Sequence, residues 1–478
     1  SGARPKIVSL GVVIVDANGK PTVEFDGSKI IYIGNYSSLT EGELFTTVRW
    51  LGDTTTRGGF KISTNGFDMH FPYFGGAVYD NFGSTTRYSF TPSITLNQLN
   101  LYNTLSKSGE WTARLNSNVE TTSATNTVGF SSGGIGSYTM NHHFSEFIIY
   151  NAVQSTANRT GIEENVGGYY DIPLPGLLDE NPGAAAAYSL RRLRQAYTGS
   201  AIQVQRADNV GGTTDIGFDG YGDLDTAALT TAAAGNSMVV VTWFDQSGSG
   251  NNATQPSSLL RPKIYDATTG VVLENGKPAM QLDGTNDFLT ASTSDLFGTD
   301  FSLFFTHRVT GGSARKFLIE TTSTGDNVYN PSLEYSDSTL PSKIRTFSGS
   351  AATATATIQS SSSFDSSQRI ITVNKNGTTN FELFADGVSL GTATPPNVTG
   401  MNGYNLGAYR FGNDRYFGGT FQELVIYNSD ESANRPSIED NVGDYYGIEI
   451  AGLLDQYSGA AAAYSLRKLS NSYTGFAI

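Results

Sequence analysis

The chain repeats itself at long range. RPKI at 4–7 returns at 261–264 and NGKP at 18–21 returns at 275–278, both 257 positions later. FSEFIIYN at 144–151 answers FQELVIYN at 421–428, an offset of 277, and the IExNVGxYY string at 162–170 answers 438–446, an offset of 276. GAAAAYSLRRL at 183–193 comes back as GAAAAYSLRKL at 459–469, again 276 later. A period near 270 is far beyond the 20–50 residues of a solenoid repeat, so each copy must build its own core. The expected organisation is the rear part of one unit over 1–172, a complete unit over 173–446, and a linker with the start of a third unit over 447–478. IPLPGLLDENPG at 172–183 holds three of the 15 prolines and reads as the linker between units. Two readings of the ends stay open: the chain is a slice of a longer polypeptide, which is the expected one, or a neighbour supplies the missing β edges.

The repeat also disposes of a false signal. Arg4 and Lys6 ahead of the apolar run Ile7–Val15 imitate a secretory leader, but the corresponding stretch beginning at Arg261 lies inside the chain, so this is a folded segment. The longest apolar runs, such as Met238–Phe244, fall well short of the roughly 18 residues of a membrane span. With 30 Lys and Arg against 44 Asp and Glu, net −14, no basic nucleic-acid surface is expected. The absence of cysteine removes disulfides and thiol chemistry. Charged residues make up only 15% while 54 glycines and 12% aromatics are present, the balance of a β-rich, turn-rich chain.

Local patterns agree. Asn275, Asp283 and Asp386 each precede Gly, and the intervening stretches of five to eight residues are rich in Val, Ile, Thr, Phe and Tyr, which predicts antiparallel sandwiches. Ser155 or Thr156 can cap a helix carrying Ile162, Val166 and Tyr169 or Tyr170, repeated as Ile438, Val442 and Tyr445. The alanine-rich run Ala184–Tyr197 predicts a further helix, with Tyr188, Leu193 and Tyr197 on one face.

The strings AYSLRRLRQAYTGSAIQVQRADN (187–209), DIGFD (215–219) and above all DQSGSGNNATQ (245–255) resemble the front of the catalytic domain of α-L-arabinofuranosidase B. NGKPAMQLDGTNDFL (275–289), TFQELVIY (420–427) and the closing IEDNVGDYY resemble its rear, and also concanavalin A-like and laminin-G-like modules. Similar modules recur in phage tail-fibre and other virion proteins and in large bacterial adhesins. The resemblance implies an all-β fold, a jelly-roll sandwich of two antiparallel sheets in each unit, with a few short helices.

A retaining glycosidase needs two carboxyl groups about 5–5.5 Å apart. A rough alignment puts the nucleophile in SKIRTFS at 342–348, and no Asp or Glu occurs between Ser338 and Phe364. The acid falls near FGNDRYFGG, where Asp414 stands, and the first copy has no carboxylate in GGIGSYTMNHH. If the chain is an enzyme, Glu334 and Asp414 are its candidate acids.

Three further clusters invite a function. Asp245, Gln246, Ser247, Asn251 and Asn252 would face the sugar cleft and grip hydroxyls, or would satisfy backbone groups in a Gly-rich turn. Asp219, Asp223 and Asp225 could surround Ca²⁺, or Asp225 could cap a helix over 226–234 while the others sit on a turn. Trp243 lies in an apolar strand and reads as core. His142 and His143 point to opposite faces of a strand and cannot share a metal.

The expected function is therefore a non-catalytic, repetitive structural or adhesive protein with carbohydrate as ligand. Its setting would be extracellular, on a cell surface or virion, its partners glycans and neighbouring units, and it would have no cofactor beyond that calcium. The alternatives are an active α-L-arabinofuranosidase and a self-assembling subunit that exchanges edge strands.

Overall fold

The computed structural model describes residues 5–451 apart from 10–11, 17–18, 28, 53–57, 66–68, 137–139, 171, 173, 221, 293–295, 313–314, 323–328, 337–340, 351–352, 398–402, 411 and 413. The start of a third unit expected over 447–478 lies outside the described residues beyond Ala451. Two compact units divide between Pro175 and Gly176.

Unit 1 is built on six antiparallel strands: β1 (Val23–Gly27), β2 (Gly42–Trp50), β3 (Asn100–Lys107), β4 (Glu110–Leu115), β5 (Asn118–Ser123) and β6 (Met140–Tyr150). Their order is β5-β4-β3-β2-β6-β1. A smaller three-stranded sheet (31–35, 132–135, 60–61) belongs to the same unit, whose core gathers Leu44, Val48, Phe60, Ile62, Tyr102, Trp111 and Ile135. The other face of the six-stranded sheet carries α1 (Thr156–Tyr169), capped by Ser155 as its sequence predicts, with the side-chain oxygen accepting from the Asn158 amide at 3.2 Å. Val166 and Tyr170 cluster there with Phe45, Leu99 and Leu101.

Unit 2 opens with α2 (Leu177–Glu180) and β7 (Ala184–Ser189), followed after Asp225 by α3 (Thr226–Ala233). Next come β8 (Met280–Asp283), β9 (Leu289–Ala291), β10 (Phe301–Gly312), β11 (Lys316–Thr321), β12 (Tyr329–Tyr335), β13 (Ile344–Ser350) and β14 (Thr353–Gln359). The unit continues with β15 (Arg369–Asn376), β16 (Asn380–Ala385), β17 (Val388–Ala393), β18 (Tyr404–Leu406), β19 (Phe417–Tyr427) and α4 (Arg435–Tyr446). One layer runs β17-β16-β15-β10-β19, with β7 and β8 sharing the far edge of β19. Apart from β7, that is the strand order of unit 1, as the duplication requires. The second layer runs from Ala253–Thr254 through β9, β18, β11, β12 and β13 to β14. Met238–Trp243 and Lys263–Asp266 join the layers, so the ladder closes on itself.

Period-two alternation decides which face each side chain takes. Along β10, Phe301, Leu303 and Phe305 enter the core between the layers, where Ile319, Leu333, Ile371 and Leu406 meet them. Phe304 points the other way, to Ile438, Val442 and Tyr446 of α4. Because both faces of this layer are covered, every residue of β19 is buried.

One expectation fails here: Ala184–Tyr197 is not a helix. Its first six residues are β7, paired antiparallel with β19 from Ala184 opposite Tyr427 to Ser189 opposite Glu423. Ala186 enters the core between the layers and Ala187 the core under α4, so the small side chains serve a crowded strand and pairing overrides helix propensity.

Candidate active site

A cluster of buried charge lies on the outer face of the second layer. In β11 the run KFLIET carries a β-bulge: Phe317 pairs with Glu334, yet Ile319, two residues on, pairs with Leu333. Leu318 and Ile319 both turn to the core in consequence, leaving Phe317 and Glu320 on the outer face beside Ser332 and Glu334 of β12. Two glutamates thereby become diagonal neighbours on adjacent strands, both with no exposed surface.

Their surroundings differ. Glu334 is bracketed by two guanidinium groups: Arg315 Nε donates to its oxygens at 2.7 and 3.0 Å, and Arg345, its cross-strand partner on β13, donates from the other side. Glu320 accepts a hydrogen bond from the Ser332 hydroxyl and a longer one from Arg410 Nη2 at 3.4 Å. Burial pushes the Glu320 carboxyl up to about 8, against the pull of Ser332 and Arg410 and helped by the neighbouring Glu334. Glu320, with the single longer contact to Arg410, is pushed toward its neutral form, while Glu334 is paired on both sides.

Of the candidate acids named from sequence, Glu334 stands at this site. Asp414 sits at its rim on the turn after β18: its side chain is 53% exposed and 3.7 Å from Arg415 Nε, while the Arg415 carbonyl accepts from the Phe317 amide. Glu320 escaped sequence reading because it lies inside an apolar run and its partner Arg410 is 90 positions away; the one clue was a charge in a strand otherwise destined for the core.

The other sequence-named residues are occupied locally. Asp245 accepts from the amides of Ala187, Ser247 and Asn251 and from the Ser247 hydroxyl. Gln246, fully buried, accepts from the Leu193 amide and donates to the carbonyls of Ser189 and Arg191. Asn251 donates to the Ala185 carbonyl and Asn252 accepts from the Asp245 amide. Asp245, Gln246, Ser247 and Asn251 pin the β7 segment to the turn at 245–252, and Asn252 closes the turn itself.

Asp225 caps α3 through the Ala228 amide at 2.8 Å, Asp219 accepts from the Asp223 amide, and Asp223 pairs with Lys277 at 3.1 Å and accepts from the Tyr445 hydroxyl. Among the described residues no group of three or more His, Asp or Glu side chains is arranged to hold a metal ion. Trp243 is buried in the core between the layers. No helix among the described residues is long and apolar enough to cross a membrane.

No protein-family model matches the chain. Two curated proteins do match part of it. The α-L-arabinofuranosidase B of Aspergillus oryzae is 36% identical over 107 residues, 20% of this chain and 21% of that protein. The probable α-L-arabinofuranosidase B of Aspergillus flavus is 35% identical over 107 residues, with the same shares. The similarity is to arabinofuranosidases. It spans about a fifth of the length of these relatives. Among solved structures, a mutant GH54 α-L-arabinofuranosidase soaked with 4-nitrophenyl α-L-arabinofuranoside aligns with a TM-score of 0.44 and 16% identity over 56% of this chain and 64% of that one. An arabinofuranosidase complexed with arabinofuranosyl-α-1,2-xylobiose aligns with a TM-score of 0.44 and 16% identity over 60% and 67%. The expected non-catalytic structural or adhesive protein is overturned by the two curated relatives, which are named as enzymes.

Proposed function

We infer that unit 2 is a glycoside hydrolase of the α-L-arabinofuranosidase type, working through Glu320 and Glu334. The observation that carries this reading is the buried pair itself: one carboxyl poised as an acid, the other ion-paired, on adjacent strands of one sheet face. Diagonal neighbours across an antiparallel pair lie roughly 7–8 Å apart at Cα. Glutamate side chains can close that to the roughly 5–5.5 Å of double displacement.

In this reading Glu334 attacks the anomeric carbon while Glu320 gives its proton to the departing oxygen. A water molecule, deprotonated by Glu320, then releases the sugar from Glu334 with net retention. Arg315 and Arg345, with 34% and 24% of their side chains exposed, form the outer layer over Glu334, and a furanoside enters where they swing aside. The partners are glycans, and since polysaccharides are too large to cross a membrane intact, an extracellular setting belongs to the same proposal.

Hydrolysis of 4-nitrophenyl α-L-arabinofuranoside by the purified chain tests it. Release of nitrophenol is expected from the native chain, is expected to vanish in Glu334→Gln and to fall without vanishing in Glu320→Gln, both in variants that keep the native far-UV spectrum. Absence of turnover in the native chain, or turnover that survives both substitutions, would overturn the proposal. Turnover lost in Asp414→Asn but undiminished in Glu320→Gln would move the acid to the rim.

A further inference from the structure

The chain carries a net charge of −14, yet the face over the buried glutamates collects arginine. Arg315 and Arg345 pair with Glu334, Arg410 reaches Glu320 at 3.4 Å, and Arg415 stands 3.7 Å from Asp414. Four guanidinium groups thus meet three carboxyl groups, a positive excess even with every carboxyl ionised. Glu320, held toward its neutral form, widens that excess at neutral pH.

The four cations are not equally committed. Arg410 is buried, and Arg315 and Arg345 are hydrogen-bonded to Glu334. Arg415 is the loose one. Its side chain is 33% exposed, Asp414 at 3.7 Å lies beyond hydrogen-bond reach, and the guanidinium carbon rests 4.2 Å from the centre of the Tyr409 ring. Contacts through two rings tie it to the glutamate pair. The Phe317 amide donates to the Arg415 carbonyl at 3.3 Å, the Phe317 ring packs on that of Tyr409 at 5.3 Å, and the Arg315 guanidinium lies 5.2 Å over Phe317. Arg315 and Arg415 therefore flank one pair of rings, the first engaged with Glu334 and the second open to a partner.

Uncovering Glu334 makes this arrangement selective. A furanoside reaches Glu334 when Arg315 and Arg345 leave it, and each departure gives up charge-assisted hydrogen bonds. A neutral glycan returns nothing of equal strength. A glycan with a carboxylate of its own does. Arg315 Nε already meets both oxygens of one carboxylate, at 2.7 and 3.0 Å, and the same planar donor suits a second.

We propose that the glycan taken by this site is acidic: a uronate residue beside the arabinofuranoside places its carboxylate on Arg415, and Arg315 closes on the same group as it leaves Glu334. The proposal rests on the hydrolase reading of Glu320 and Glu334 and adds the class of polymer, arabinofuranosyl side groups on a uronate-bearing chain. Arg415 is then a specificity residue, since it touches the neighbouring sugar and not the reacting atoms. A polymer rich in carboxylates is repelled by a protein of net −14, and a local positive face is what admits it.

Three matched substrates test this: an arabinofuranosyl galacto-oligosaccharide, the same compound with the galactose C6 oxidised to a carboxylate, and the methyl ester of that acid. For the native chain, KM is expected to be roughly tenfold lower for the acid than for the alcohol or the ester, the lower end for a charged hydrogen bond because Arg415 is partly exposed. The difference should shrink in about 0.5 M salt. Arg415→Gln should bring the three KM values together, and Arg415→Lys, which keeps the charge without the fork, should preserve part of the preference. Calorimetry with a galacturonate trisaccharide, which has no arabinose to release, reads the same contact without turnover and should show binding roughly tenfold weaker in Arg415→Gln. Equal KM values on a chain that hydrolyses all three substrates would overturn the acidic specificity and leave the hydrolase standing. A preference that persists in Arg415→Gln would overturn the part given to Arg415. Hydrolysis of none would overturn the hydrolase reading; trisaccharide binding that depends on Arg415 would then still uphold the acidic site, and its absence would overturn that as well.

Discussion

Arg191 holds Glu423 by two parallel bonds, Nε to Oε2 at 2.8 Å and Nη2 to Oε1 at 3.0 Å, with both side chains buried beneath Tyr446. The pair joins the segment two residues beyond β7 to the middle of β19. Removing one member leaves the other as an uncompensated buried charge, so Arg191→Ala should lower stability by about 3–5 kcal/mol in denaturant unfolding. Arg191→Lys should recover only part of that, since an ammonium cannot make the fork.

Glu320 sets the alkaline limit of the proposed reaction. With its carboxyl at about 8, the acid form dominates at neutral pH and is lost above that value, so kcat should fall as pH rises through about 8. Glu320→Gln should lower kcat for an unactivated arabinoside roughly 10²–10⁴-fold and remove the limb from the pH profile.

Glu439 ties stability to pH. Burial raises its carboxyl to about 7 despite Arg435 and the Thr372 hydroxyl at 2.7 Å. The folded state therefore keeps a proton that the unfolded chain gives up near the ordinary value of 4.5. Its contribution is fully present below that value and is lost as pH rises through about 7. Tm should decline from pH 5 to 8, and Glu439→Gln should flatten the decline.

Gln246 should matter for folding. Its amide serves the Leu193 amide and the Ser189 and Arg191 carbonyls with no exposed surface. Gln246→Ala should destabilise by about 1–3 kcal/mol for each group left unpaired. Calorimetry of the variant beside Asn251→Ala, which loses one bond, would rank the two.

Much of this architecture can be read from residues close in sequence. Ser155 announces α1 and Asp225 announces α3 because capping is settled within one turn of chain. The turns at Asn275 and Asp386 are occupied at positive φ, as the glycine after each foretells. The alanines of β7 misled because their role is set by pairing with β19, more than 230 positions away, which turns Ala186 and Ala187 to two different cores. The Glu320–Glu334 site was half legible for a similar reason. Glu334 stands out as an acid in a β pattern, whereas Glu320 gains its character from a bulge and from Arg410, neither of which leaves a local mark.

The antiparallel register of β7 and β19 sets Ala184 beside Tyr427, so polypeptide enters and leaves the paired ribbon at one end. A pull applied through the segments flanking the second unit would open that ribbon like a zipper, breaking bonds in succession from Ala184 toward Ser189 and meeting the Arg191–Glu423 clasp last. Force, on this geometry, would find the unit weak at first and then abruptly stiff.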